Sequence, residues 1–430
     1  MNKRIALFWA LIAILMILTP LRAAKASTQE GFKKITLSNG LTLNYKIMKD
    51  QPMISMYAVV PIGMNREREK GIAHLLEHMI FRGGGGYNFV DVMNVTNRQG
   101  GTFSGFTTFY ATTYNYVVPK DKFDEAFNVF NANLWSSNLA ASDLALEKKI
   151  VLHESEMSYS QRLSFYPVIK YFYPETNYSE ATVNAITDSE LKEFYQSYYQ
   201  PDNVTYFMAG DFDPNIVIKR LQQLKNVYGE KEVPVSAIKE YELPQKVIVE
   251  SRNIYPYQYQ IMLAYEFDGL DQSERMVLKV LSYLYGYNFR IDYEKNEFKD
   301  YYLVTRSIGN KEYFGLYHSE STHPYEESSL TEVKTALLKL LRQFKKTDLS
   351  KERKVMTKLV KIEQLDSNKT AAASVEYEVQ RLIDPENITV DSLEILEKLQ
   401  NKDLEKVIEK CFAQPPKATI IIKSTEKVGE

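Results

Sequence analysis

The chain has 430 residues, with 53 Lys plus Arg against 55 Asp plus Glu, and at roughly 150 residues per domain that is two or three domains. The charge balance excludes a dedicated nucleic-acid binder, and 44% hydrophobic with 25% charged residues excludes wholesale disorder and a polytopic membrane protein. Its one cysteine, Cys411, excludes an internal disulfide and a cysteine-rich metal or iron–sulfur site.

Lys3 and Arg4 precede an apolar run from Ile5 to Leu18, then Pro20 and the small-residue stretch Ala23-Ala24-Lys25-Ala26. A basic start, a short apolar centre and an Ala-x-Ala end predict a secretory signal peptide over residues 1–26, and hence an exported, periplasmic protein. An uncleaved anchor is the alternative, disfavoured because a spanning helix needs about 20 apolar residues. Membrane contact is expected through this segment alone, and only if it is not cleaved.

Residues 35–45 alternate apolar and polar around Asn39-Gly40, which predicts a β-hairpin. Ile54 to Pro61 reads as a further strand. Lys70 to Phe81 has helical periodicity and stops at Gly83-Gly84-Gly85-Gly86, read as a flexible loop because no Lys-Ser/Thr of a phosphate loop follows. Thr102 to Val118 reads as two strands, Lys122 to Leu139 and Leu144 to Ser158 as helices, Asp188 to Tyr198 as a helix and Val204 to Ala209 as a strand. The charged, Pro-bearing stretch 230–244 is the expected linker. Beyond it the order recurs: strands Val247–Ser251 and Gln258–Tyr265, helix Ser273–Leu284, aromatic strand patterns, then helices Leu330–Phe344 and Lys351–Gln364. Two copies of one unit of about 200 residues predict a duplicated α+β architecture.

The chemistry is concentrated in Gly71-Ile72-Ala73-His74-Leu75-Leu76-Glu77-His78-Met79-Ile80-Phe81. Residues four apart share a helix face, so His74 and His78 can present both imidazoles to one metal ion, with Glu77 close by. Two neutral His and one carboxylate compose a catalytic zinc site whose fourth position is water. Zinc lowers the pKa of that water, and Glu77 can take its proton. Chance would give this pattern roughly 0.004 times in a chain of this composition. A lone His on an apolar face is usually core, but a His pair with an intervening acid is not, and the order His-x-x-Glu-His is the inverzincin one.

A third ligand is needed from another helix, and Glu147 to Glu156 offers three acids. Glu147 and Glu154 lie two turns apart on one face, Glu156 is rotated from Glu154 by about 200°, and the rival His153 points about 100° off the shared face. A solvated acidic face is the bland alternative for all three.

These segments resemble the insulinase, pitrilysin and mitochondrial processing peptidase family of zinc metallopeptidases. The likeness is carried by Leu37-Ser38-Asn39-Gly40-Leu41, the His74–His78 helix, Glu147 to Glu156 and Gly210-Asp211-Phe212-Asp213. It is specific over residues 35–215 and only architectural over 245–430. The resemblance implies an α+β fold of two homologous domains, each a mostly antiparallel sheet packed with long helices, together forming half of a peptidase chamber. It divides the chain into a catalytic zinc-binding domain at 27–229, the linker, and a metal-free domain at 245–430. It makes Glu154 the third zinc ligand, Glu147 a supporting acid that orients the site, and Glu77 the catalytic base, with one Zn2+ per chain. Family members often carry Asn-Ala in the substrate-facing strand, where this chain has Ser104-Gly105 before Phe106. They also usually carry an Arg and a following Tyr in the second half. The comparable stretch here runs from Arg290 to Tyr301, with Tyr293 at the expected Arg position. Ser104, Gly105, Phe106, Arg290 and Tyr301 are therefore the expected substrate-binding residues.

The expected function is an exported zinc endopeptidase acting on peptides or small unfolded polypeptides. The alternative is a non-enzymatic assembly or peptide-binding subunit of the same fold, which would have no use for the metal constellation. A chain of two such domains implies a second homologous two-domain subunit. A heterodimer is favoured over a homodimer, because this chain lacks a convincing Arg and Tyr pair.

Overall fold

Met53–Val60 reads MISMYAVV and is buried along almost its whole length, the pattern of a strand covered on both faces. The rest of the first half is arranged around it. A computed structural model describes residues 31–64, 67–161, 178–229, 245–251, 259–285, 301–308, 311–320, 324–383 and 392–424. The described residues from 34 onward form one compact unit.

The chain runs β1 (Lys33–Thr36), β2 (Thr42–Ile47), β3 (Met53–Val60), α1 (Ile72–Phe81), β4 (Gly83–Gly84), β5 (Tyr87–Asn88), α2 (Phe89–Val95), β6 (Thr102–Thr107) and β7 (Thr112–Pro119). Then come α3 (Phe123–Trp135), α4 (Ala141–Gln161), α5 (Glu180–Ala185), α6 (Asp188–Tyr198), β8 (Thr205–Gly210) and α7 (Pro214–Leu221). The second half holds β9 (Lys246–Ser251), β10 (Tyr259–Asp268), α8 (Gln272–Tyr285), β11 (Tyr301–Ile308), β12 (Lys311–Glu320), α9 (Glu327–Lys346) and α10 (Leu349–Ser367). It closes with α11 (Ala371–Ile383), α12 (Leu393–Lys398), α13 (Asn401–Phe412) and β13 (Ala418–Ser424).

The duplication is visible in the strand order. The first sheet runs β1-β2-β8-β3-β7-β6 and the second β11-β12-β10-β13-β9. Read from the other edge, the second repeats β2-β8-β3-β7-β6 strand for strand. The senses agree too. β2–β8 and β9–β13 run parallel, whereas β3 pairs antiparallel with β8 and β7 just as β10 does with β13 and β12. The last pairs, β6–β7 and β11–β12, are also antiparallel. Each sheet has its own apolar core, one built from residues between Leu37 and Leu221, the other from residues between Tyr259 and Ile421.

The turn at Asn39-Gly40 stands as read, closed by the Leu37 N–H donating to the Leu41 carbonyl at 2.8 Å, but two other local readings need correction. The glycine run is not slack: Gly83–Gly84 pairs with Tyr87–Asn88, and a Cβ on Gly84 would sit 2.4 Å from the Ser136 carbonyl oxygen. Glycine there lets two backbones touch. The described residues after Gln364, for which no elements were expected, form three more helices and β13, which lies inside the second sheet. The linker at 230–244 lies outside the described residues.

One helix crosses between the halves. α11 packs on β3 and β8 of the first sheet, where Lys46 is buried with its Nζ donating to Asn368 Oδ1 at 2.6 Å and the Tyr57 hydroxyl bonds Glu376. Val375 and Val379 on that helix are fully buried. Val379→Asp should therefore destabilise the whole unit by at least about 3 kcal/mol, since it buries an unpaired carboxylate. Urea unfolding followed by tryptophan fluorescence checks it through Trp135, in the first core. An unchanged midpoint would contradict the packing.

Candidate metal centre

α1 is apolar on every side but one. Ile72, Ala73, Leu75, Leu76, Met79 and Ile80 enter the first core, while His74, His78 and Phe81 line a cleft of about 500 Å3. α4 and β6 pack against α1 and supply the opposite walls, Glu147, Ile150 and Glu154 from the helix and Phe103, Gly105, Phe106 and Thr107 from the strand.

The two imidazoles stand 4.9 Å apart, ring centre to ring centre, at 79°. Each Nδ1 is engaged from behind. His74 Nδ1 lies 2.9 Å from the Tyr178 hydroxyl, and His78 Nδ1 lies 2.8 Å from Glu147 Oε2. Both Nε2 atoms thus face inward, each 3.4 Å from Glu154 Oε2, and the three donor atoms fall within 4.8 Å of one another. Two ligands bound at about 2.1 Å to one tetrahedral ion are themselves about 3.4 Å apart. The donor set, its chemistry and its spacing fit zinc.

Electrostatics point the same way. The contacts to His74 and His78 hold the Glu154 carboxyl far below the ordinary carboxylate range. Burial opposes ionisation of Glu147, but His78 and Arg82 outweigh it and lower its pKa. Burial also works against charging His78, yet Glu147 and Glu154 raise its pKa to about 10. Glu77 behaves oppositely. It is 7% exposed, and burial raises its pKa against the pull of His74, Thr107 and His78. Its Oε2 accepts the Thr107 hydroxyl at 2.7 Å.

Of the residues expected from the sequence, the structure brings together His74, His78, Glu77, Glu147 and Glu154. His153 is exposed on the same helix and outside the donor cluster, and the Glu156 side chain lies outside the described residues. Gly105 and Phe106 line the cleft. Ser104 does not: its hydroxyl turns to Asn115 on β7. A Cβ on Gly105 would sit 2.6 Å from Glu77 Oε1, so the glycine makes room for that carboxylate. Arg290 and Tyr293 lie outside the described residues, as does the side chain of Tyr301, whose backbone pairs with His318 at the start of β11.

Sequence reasoning missed Tyr178, Thr107 and Glu67. Glu67 is 4% exposed and accepts the N–H groups of Gly71 at 2.7 Å and Ala73 at 3.0 Å, at the start of α1. The acid three residues before Lys70-Gly71 was the only available signal, and its spacing matches no standard capping box.

Comparison with known proteins identifies relatives of the chain. The pattern for "Insulinase (Peptidase family M16)" matches residues 49–191 and that for "Peptidase M16 inactive domain" matches residues 185–356. The zinc protease PqqE of Helicobacter pylori is 22% identical over 272 residues, 59% of this chain and 61% of its own length, so the chain spans less than two thirds of that relative. A protease structure from Helicobacter pylori superposes with a TM-score of 0.74 at 18% identity, covering 93% of this chain and all of that one. The periplasmic protease PqqL of Escherichia coli superposes at 0.66 with 14% identity, covering 93% of this chain but 48% of its own. With the two patterns running without a gap from residue 49 to 356, the chain belongs to the insulinase family of peptidases, M16.

Proposed function

We propose that the chain is an exported zinc-dependent endopeptidase that hydrolyses peptides or small unfolded polypeptides. The observation that carries this reading is the donor set of His74, His78 and Glu154 beside the buried carboxylate of Glu77, at the foot of an edge strand. Zinc held by those three residues would supply Lewis acidity toward a carbonyl and a readily ionised water.

The chain's own residues do the rest. Glu77 is the base: Thr107 fixes one oxygen, the other takes the proton of the attacking water and returns it to the leaving amine. Burial keeps its pKa raised, which suits a group that must both accept and give up a proton near neutral pH. Glu147 and Tyr178 hold the imidazoles so that Nε2 faces inward. Among the described residues β6 pairs with β7 alone, so an extended peptide can add to its other edge through main-chain hydrogen bonds. Phe103 and Phe106 then offer apolar contact along the cleft.

The signal-like segment at residues 1–26 and the periplasmic location of the Escherichia coli neighbour support export. That neighbour is about twice as long as the part matched here, which supports a second two-domain subunit completing the chamber, with a zinc-less relative favoured over a second copy. Light scattering on the pure protein together with a peptide-library assay tests it. Full hydrolysis by a homodimer would overturn the heterodimer.

His74→Ala should abolish stoichiometric zinc in elemental analysis. Glu77→Gln should keep zinc and fold while activity falls by several orders of magnitude, as removal of the activating base requires. Zinc retained in the first variant, or lost in the second, would reassign the roles.

Metal uptake should also depend on pH in a set direction. His78 in the metal-free protein holds its proton up to about pH 10, and a ligand must lose that proton to bind. Zinc affinity should therefore rise by up to about tenfold per unit between pH 6 and 8, measured by chelator competition. A flat profile would contradict it.

A further inference from the structure

The first turn of α1 is built unusually. Its N-cap, Gly71, has φ 93° and no side chain with which to cap the helix. A Cβ there would lie 3.1 Å from the Cβ and Cγ of Tyr178, the residue whose hydroxyl meets His74 Nδ1. A Ser or Asp cap would thus be strained at this φ and would crowd the support of the first imidazole. The capping oxygens come instead from four residues upstream: Glu67 Oε1 accepts the Gly71 N–H and Oε2 the Ala73 N–H. The Ile72 N–H donates to the Glu69 carbonyl at 3.1 Å, and the Leu75 N–H to the Gly71 carbonyl at 2.9 Å. The amides on both sides of His74 are therefore tied down, and two of the four ties run through or beside the Glu67 carboxylate.

A neutral cap would stabilise a helix at lower cost. Burial pushes the Glu67 carboxyl up to about 7 despite its two amide bonds, so a carboxylate at this place costs stability. A carboxylate clamped on two amides fixes the rotation of the first helical turn more tightly than a hydroxyl making one bond.

We infer that Glu67 is a positioning residue for the metal centre, fixing through the backbone of Gly71 and Ala73 where His74 stands relative to His78 and Glu154. The inference rests on the zinc reading above and adds to it a residue that touches neither metal nor substrate. An ordinary cap would contribute to folding and leave metal affinity alone, and that difference makes the assignment testable.

The experiment uses the full chain, stripped of metal and titrated with zinc against a chelator, alongside Glu67→Gln and Glu67→Asp. Glu67→Gln keeps the shape but loses the charge and one acceptor. It should weaken zinc binding about 10- to 100-fold, the range seen when a ligand's support is removed, with an unchanged circular dichroism spectrum. Glu67→Asp, which keeps the charge on a shorter arm, should fall between it and the wild type. A lowered thermal midpoint of the metal-free protein with zinc affinity within about twofold of wild type would overturn the inference. If Glu67→Gln fails to fold, Glu67→Asp decides by the same criterion. Failure of the wild-type chain itself to bind zinc would instead overturn the zinc reading.

Discussion

The contact between α1 and α4 is the constraint that the rest of the first half serves. It forces three carboxylates, Glu77, Glu147 and Glu154, and two imidazoles into one cleft, where Arg82 is the cation paired with Glu147. Like charges at such distances repel strongly in a partly dry site. The structure divides the burden: Glu147 is neutralised by Arg82 and His78, Glu77 is buried with a raised pKa, and Glu154 is left facing both imidazoles. A divalent cation at the point where the donors converge would complete the charge balance, so the electrostatics and the coordination geometry ask for the same thing.

How much of this the sequence revealed depended on distance along the chain. The His74–Glu77–His78 pattern was legible because helical spacing alone puts the groups on one face. The choice among His153, Glu154 and Glu156 was not, since spacing fixes their relative angles but not which of them is turned to α1. Tyr178 stands 104 residues from its imidazole partner, and Thr107 is 30 from Glu77, so no local pattern could join them. The glycines at 83 and 84 misled for a related reason. Gly83 is pressed by the Tyr87–Asn88 backbone and Gly84 by the end of α3, and a sequence displays their flexibility but not their neighbours.

The two halves separate scaffold from chemistry. α8 holds in the second sheet's connection the place that α1 holds in the first, between the second and third strands of the shared topology. Where α1 carries the two imidazoles of the candidate centre, the start of α8 carries Glu274, bonded to Lys410 at 2.7 Å and Lys406 at 3.0 Å, in a capping box with Asp271. A position that in one copy gathers imidazoles in the other gathers counter-charges. The same fold bears both, which is why the family's activity has to be argued from the site and not from the architecture.

The seating of α11 on the first sheet has a bearing on how the chain can be handled. A cut between residues 229 and 245 would not release two separable proteins, because a helix from the far fragment roofs β3 and β8 of the near one. The near fragment made alone would display Val59, Phe207 and the neighbouring strand surface to water, an apolar sheet face of the kind that drives self-association. The two pieces mixed together would be expected to find each other again. Fragment complementation thus offers a way to label or replace one half of the molecule without touching the other.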